Sequence, residues 1–273
     1  MLYQHRLLTF YKQDILVLDV LRIALVQLQL QNNKTKAIVH TLKLLNKAGS
    51  SDSDIVCLPE LWYTKTVTNF ETEFGKIIDV AKEYNMAIIP GAFRERRNNN
   101  NNSLQISTPV IANDGVIAGR QLKIHPFGSQ RKVVKAGAKV ELFESANFKF
   151  GIGICYDIVF PEVARALLKK GADILFFPSK IRHEGIKPWH MYVQVRALEN
   201  RIPIAAPNVC DDSSSNGIYR GKSIFVDFDY DYKTDIAVPK IRVGSSVNNQ
   251  IIIVNVDLNH CRKLRKKRFS YNH

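Results

Sequence analysis

The sequence predicts an α/β layered sandwich in one domain. Short apolar runs of strand length alternate with segments of helical spacing almost throughout. The rhythm occurs in both halves of the chain, each with added antiparallel strands. No internal repeat and no domain-sized linker interrupts it.

The first half opens with a buried strand at Ile23-Ala24-Leu25-Val26, followed by a helix over Lys34 to Lys47 spaced by Ile38, Leu42 and Leu45. A second strand, Asp54 to Leu58, runs into Pro59-Glu60. The helix over Glu71 to Tyr84 places Phe74, Ile77, Ile78 and Ala81 on one side. Strands at Ala87 to Ile89 and Leu104 to Ile111 follow, then a turn at Asn113-Asp114-Gly115 and a returning strand from Val116. An Asp-Gly between two apolar runs is a strong hairpin signal.

The second half predicts a strand at Phe150 to Ile154 and a helix at Pro161 to Lys170. Proline sits in the helix's first turn and Gly171 just past its end. Ile174 to Phe177 is a strand, Trp189 to Asn200 a helix, and Ile204-Ala205, Ser223 to Val226 and Ile251 to Val256 are strands. Two stretches read as loops by composition: Arg94 to Asn102, with its run of asparagines, and Asp211 to Gly217.

Composition narrows the class. The chain has 273 residues and four cysteines, at 57, 155, 210 and 261, without metal-ligand spacing or a disulfide framework. No metal or other cofactor is expected, and a reduced, cytoplasmic setting fits. The stretch Ile15 to Leu30 is broken by Asp19, Arg22 and Gln27, too polar to span a bilayer, so no membrane role is expected. Net charge is +14, which favours acidic partners in general. Only Arg262 to Arg268 concentrates that charge. No zinc-ligand pairs or aromatic RNA-binding signature accompanies it, so a solvated basic tail is expected and nucleic acid is not.

The chemistry lies in Gly151-Ile152-Gly153-Ile154-Cys155-Tyr156-Asp157. An apolar run ends on a cysteine, and a helix starts within six residues, at Phe160-Pro161-Glu162. Such a turn displays a thiol at the carboxyl end of a strand, where backbone N–H groups can face a reacting carbonyl. A carboxylate, Glu60 in Cys57-Leu58-Pro59-Glu60-Leu61, and a cation, Lys123 in Arg120-Gln121-Leu122-Lys123-Ile124-His125, complete the set that thiol attack on a carbonyl needs. Taken singly, Glu60 could be a helix-start carboxylate, Lys123 a surface cation and Cys155 a small buried hydrophobe.

Together these segments resemble the nitrilase superfamily, the carbon–nitrogen hydrolases. Supporting matches are Phe160-Pro161-Glu162-x-x-Arg165, Gly171-Ala172-Asp173, Arg196 to Arg201, Pro207-Asn208 and Gly221-Lys222-Ser223. The resemblance implies a four-layer α-β-β-α sandwich over residues 22–258, with an N-terminal extension at 1–21 and a basic tail at 259–273. It implies an amidase-like hydrolase of small amides or nitriles, acting through a thioester. Glu60 would be the base, Lys123 the cation near the oxyanion and Cys155 the nucleophile, with Lys123 also lowering the thiol pKa. The backbone N–H of Tyr156 would be a second oxyanion donor.

Homo-oligomers are usual in the family, so a homodimer or larger assembly is expected through the helix after Cys155 and the helix ending near Asn200. Glu162, Arg165, Arg196 and Glu199 read as structural ion-pairing residues. Candidate substrate-binding residues are Trp62, Tyr63, Ser179, Trp189 and Asn208. Arg182, His183, Trp189 and His190 could meet an acidic substrate, although a solvated loop explains them equally well. One departure stands out: Gln130 occupies the place of a second active-site glutamate, and Pro126 that of a usual leucine. Glutamine keeps the shape but cannot hold the charge, which leaves open a catalytically impaired relative with a binding or scaffold role.

Overall fold

A computed structural model describes residues 20–96, 103–211, 217–231, 233–234 and 236–270. The N-terminal extension up to residue 19, most of the asparagine-rich loop and the serine-rich loop, and the last three residues of the tail lie outside these. The first half comprises β1 (Val20–Gln29), α1 (Lys34–Gly49), β2 (Ile55–Cys57), β3 (Thr66–Val67), α2 (Phe70–Glu83), β4 (Ala87–Ile89), β5 (Phe93–Arg96), β6 (Leu104–Ile111) and β7 (Ile117–Leu122). The second comprises β8 (Leu142–Ser145), β9 (Phe148–Ile152), α3 (Pro161–Lys169), β10 (Ile174–Phe176), α4 (Ile186–Asn200), β11 (Ile204–Ala206), β12 (Val209–Cys210), β13 (Ile224–Asp231), β14 (Ile236–Val243), β15 (Gln250–Asp257) and α5 (Leu258–Phe269).

Two mixed sheets form. One runs β12-β1-β2-β4-β6-β5-β3, with β15 also on β1 and β7 also on β6; the other runs β14-β13-β11-β10-β9-β8. Strand alternation explains the layering, because successive side chains point to opposite faces. On β1, Ile23 and Leu25 join Ile55, Ile89, Phe150, Ile152, Phe176 and Val254 in the core between the sheets. Ala24 and Val26 face outward onto a second core with Leu45 of α1 and Ile77 of α2. On the other sheet, Leu175, Ile204 and Val226 face a third core with Leu167 of α3 and Val193 of α4. Three apolar cores separate four layers, and the fold is the α-β-β-α sandwich.

Local signals set the helix ends. Asn33 and Asn69 cap α1 and α2 by accepting from the main-chain N–H groups of Lys36 and Thr72. Pro161 starts α3, and Gly171 after it has φ +97°, where a side chain would be strained. α4 begins at Ile186, three residues before the sequence-based start, because Pro188 falls in a first turn that needs no N–H there. Arg94, read as loop, lies on β5, paired with Ile106 of β6.

The basic tail differs from expectation. Residues 258–269 form α5, capped by Asp257, with Leu258, Cys261 and Leu264 buried. Its cations are partly internal: Arg262 pairs with Asp173 at 2.9 Å and Arg265 pairs with it at 3.3 Å. Arg265 also donates to the Ala172 carbonyl. Spacing of three residues between Leu258, Cys261 and Leu264 gives the helix an apolar stripe that the dense charge hides in the sequence.

Candidate active site

The site lies where strands end. Glu60 follows β2, Cys155 follows β9, and Lys180 follows β10, strands that run parallel to their neighbours β4 and β11 as well as to one another within each sheet. Lys123 follows β7. Ligand sites in such sheets collect outside the carboxyl ends of strands. Here the ends meet at one cavity of about 570 Å³, lined by Glu60, Lys123 and Cys155 together.

The glycines around Cys155 set its position. A Cβ on Gly151 would stand 2.6 Å from Leu167, and one on Gly153 would stand 2.3 Å from the Phe177 ring. Without side chains, β9 lets α3 and the end of β10 come close. Cys155 then takes φ +51°, a left-handed conformation uncommon outside glycine, and its N–H donates to the Pro178 carbonyl at 2.9 Å. The chain turns sharply there into a short helical turn at Cys155–Val159. Arg196 of α4 braces that turn, donating to the carbonyls of Ile158 at 3.1 Å and Val159 at 2.7 Å. Its 3.2 Å pair with Glu199 agrees with the structural reading.

Glu60 and Lys123 form a fully buried ion pair, Nζ to Oε1 2.7 Å. Burial pulls the Lys123 ammonium down, but the charges of Glu60, Cys155 and Asp157 outweigh it, and the net shift is upward. The expectation that Lys123 would lower the thiol pKa is only half met. Burial and the Glu60 charge push the Cys155 thiol well above its ordinary value, and the opposing pull of Lys123 is smaller. The sulfur therefore rests as a thiol beside that carboxylate. This pairing suits proton transfer to Glu60 during attack rather than a standing thiolate.

The other candidates separate. Trp189 lines the cavity, and among the described residues its buried indole N–H finds no hydrogen-bond partner. Tyr156 and Gln130 also line it. Gln130 Oε1 accepts from the Phe127 N–H at 3.0 Å, capping its own turn rather than meeting Lys123. Glu141 and Glu144 are not in the cavity wall.

Trp62 and Tyr63 do not reach the cavity. They are buried in an aromatic cluster with Phe74 and Phe93, because the chain after Leu61, at φ +50°, turns away from the site. Trp62 donates to the Pro90 carbonyl and Tyr63 to Glu73. Ser179 and Asn208 stand behind the wall, fully buried. The Ser179 carbonyl accepts from the Glu60 N–H at 3.1 Å, and Asn208 Oδ1 accepts from the Ile181 N–H at 2.8 Å. They shape the loop that carries Lys180. Of the basic trio, Arg182 lines the cavity; His183 and His190 do not.

Sequence reasoning missed three contributors. Asp157 is fully buried and accepts from the N–H groups of Ile154 and His125, at 2.9 and 2.7 Å. Its place two residues after the nucleophile was the available signal. Lys180 and Arg94 both line the cavity. Lys180 falls just past an apolar strand, a position the strand-end rule flags, whereas Arg94 was hidden in a charged patch. Among the described residues no cluster suited to a metal ion occurs, and no helix is long and apolar enough to cross a membrane.

Comparison with known proteins bears out the fold. The chain is 28% identical to a deaminated glutathione amidase of Dictyostelium discoideum, covering 95% of each. It is 23% identical to an omega-amidase, NIT2, of Bos taurus, covering 90% of this chain and 92% of that one. Among solved structures it resembles Saccharomyces cerevisiae Nit3, a member of branch 10 of the nitrilase superfamily, with TM-score 0.78 at 22% identity over 91% and 94% of the two chains. The carbon-nitrogen hydrolase pattern matches residues 22–266, and the chain belongs to that family, within the nitrilase superfamily.

Proposed function

We propose that this protein is an amidase of small, non-peptide amides, with Cys155 as nucleophile, Glu60 as base and Lys123 as the cation beside the oxyanion. The observation that carries the reading is the buried 2.7 Å Glu60–Lys123 pair facing the Cys155 thiol in one cavity. As the sulfur bonds to the amide carbon, its proton passes to Glu60. The Lys123 ammonium and the N–H following Cys155 meet the oxyanion. Collapse breaks the C–N bond, and the Glu60 proton leaves with ammonia. Glu60 then takes a proton from water, which attacks the thioester and releases the acid and the thiol. The names of the relatives favour amides over nitriles.

A silent binding protein is the alternative that Gln130 raises. The direct contact of Lys123 with Glu60 argues against it, since the cation is held without a second carboxylate. Gln130→Glu is expected to change kcat by less than about tenfold, because that side chain is committed to its own turn. Four buried, free cysteines support a reducing, cytoplasmic setting. Exposed Met191, Val195 and Leu198 on α4 support a homo-oligomer through that helix. Incubation with an amide panel, followed by mass spectrometry of the intact protein, tests the central claim. An acyl adduct confined to Cys155 is expected; turnover that survives Cys155→Ala would overturn it.

A further inference from the structure

The cations of α5 belong to a wider basic face, none of whose residues lines the cavity. On α5, Leu258, Cys261 and Leu264 are buried, and Lys263, Lys266 and Lys267, three and four positions apart, stand exposed on the opposite side. α5 lies along α3: Arg265 reaches the Ala172 carbonyl just past that helix, and Arg165 of α3 sits 4.5 Å from the centre of the Phe269 ring. Lys169 and Lys170, at the same end of α3, are exposed. Arg201, after α4, adjoins them: burial and then the nearby Arg268 charge pull its guanidinium below the ordinary value. Two acids on this side are already engaged, Asp173 by Arg262 and Arg265, and Asp229 by Lys240. Among the described residues, Lys169, Lys170, Lys263, Lys266 and Arg268 make no ion pair.

We propose that this face binds the sugar–phosphate backbone of a duplex nucleic acid, without reading its sequence. The segment is a docked helix, not the solvated tail that composition suggests, so its charges are fixed at a spacing of about 5–6 Å. They form a row on an open surface rather than a ring around a pocket, which suits a chain of phosphates better than one small anion. Like charges held together cost stability, and a polyanion restores it. The aromatic rings on this face, Phe269 and Tyr230, lie under Arg165 and Lys267 and are covered against stacking on bases. A duplex, with its denser charge, is therefore favoured over a single strand. A membrane surface fits less well, because the apolar stripe of α5 is buried in the core and its outward side is left to lysines.

Fluorescence anisotropy with a labelled DNA duplex of about 20 base pairs, read at several salt concentrations, tests this. About four phosphate contacts, one for each outward cation of α5, predict binding that weakens about 100-fold between about 50 and 200 mM salt. Lys263→Gln, Lys266→Gln and Arg268→Gln together should weaken binding by at least about tenfold and lower the salt slope by about 3, with thermal melting and amide turnover unchanged. Lys169→Gln with Lys170→Gln, outside α5, should act in the same direction. The control removes equal charge elsewhere: Lys36→Gln, Lys43→Gln and Lys47→Gln, exposed on α1, should change binding by less than about threefold. No binding at the lowest salt, equal weakening by the two triple variants, tighter binding of a single strand, or preference for phosphatidylserine vesicles over the duplex would overturn the inference. The amidase reading stands under any of these outcomes, since it rests on a different part of the molecule.

Discussion

Asp157 ties the loop carrying Lys123 to the turn carrying Cys155. Its carboxylate accepts from the main-chain N–H of His125 at 2.7 Å and of Ile154 at 2.9 Å, with the His125 ring nitrogen at 3.0 Å. Burial raises its pKa, and those donors oppose the rise without cancelling it. The cation and the nucleophile come from strands in different sheets, and Asp157, together with the stacking of His125 on Phe160, aligns them.

Replacing Asp157 by Asn keeps the shape but turns one acceptor into a donor facing N–H groups. The expected cost is about 1–3 kcal/mol of stability. Steady-state kinetics should show kcat falling by about tenfold or more with KM changed less, since positioning rather than binding is lost.

Glu60→Gln should move two observables in opposite directions. Removing the carboxylate charge lets the Cys155 pKa fall, so the thiolate fraction at neutral pH rises and iodoacetamide alkylation speeds up. Amide turnover should drop by about 10²–10⁴-fold with the base gone. In the wild type, alkylation should keep climbing as pH rises through 8, because the thiol is held well above its ordinary value.

Lys123→Met strands the Glu60 carboxylate in the interior. Urea unfolding should report a loss of about 3–5 kcal/mol. Adding Glu60→Gln should recover part of it, giving a coupling energy that a double-mutant cycle can read.

Docking of α5 should weaken in acid. Burial works to raise the Asp173 pKa, but Arg262, the Lys149 N–H and Arg265 outweigh it, and the net shift is downward. A carboxyl held low in the folded state stabilises above its unfolded value, ordinarily 3.8, and loses that contribution as pH falls through the folded value. Hydrogen exchange should show α5 protected down to that range and opening below it. Asp173→Asn should abolish the pH step.

Much of this was legible in the sequence, for identifiable reasons. Strands such as Ile174 to Phe176 and helices such as α2 announce themselves by periodicity, and the Glu60, Lys123 and Cys155 motifs sit in continuous segments. What stayed hidden depends on direction or distance. Trp62 and Tyr63 adjoin Glu60 in sequence, yet the left-handed turn at Leu61 sends them into the core. The apolar stripe of α5 was masked by its cations, whose partner Asp173 lies some ninety positions away. The pKa of Cys155 depended on burial, which no motif reports.

The pairing of β15 with β1 joins the last strand to the first, from Val20 opposite Asp257 to Gln27 opposite Gln250. β1 therefore gains that neighbour only after every strand from β2 to β14 has been made. Until then Ile23 and Leu25 lack the cover of Ile252 and Val254, and the sheet presents an open edge to other chains. Until β15 arrives, the first sheet is therefore at its most exposed to aggregation.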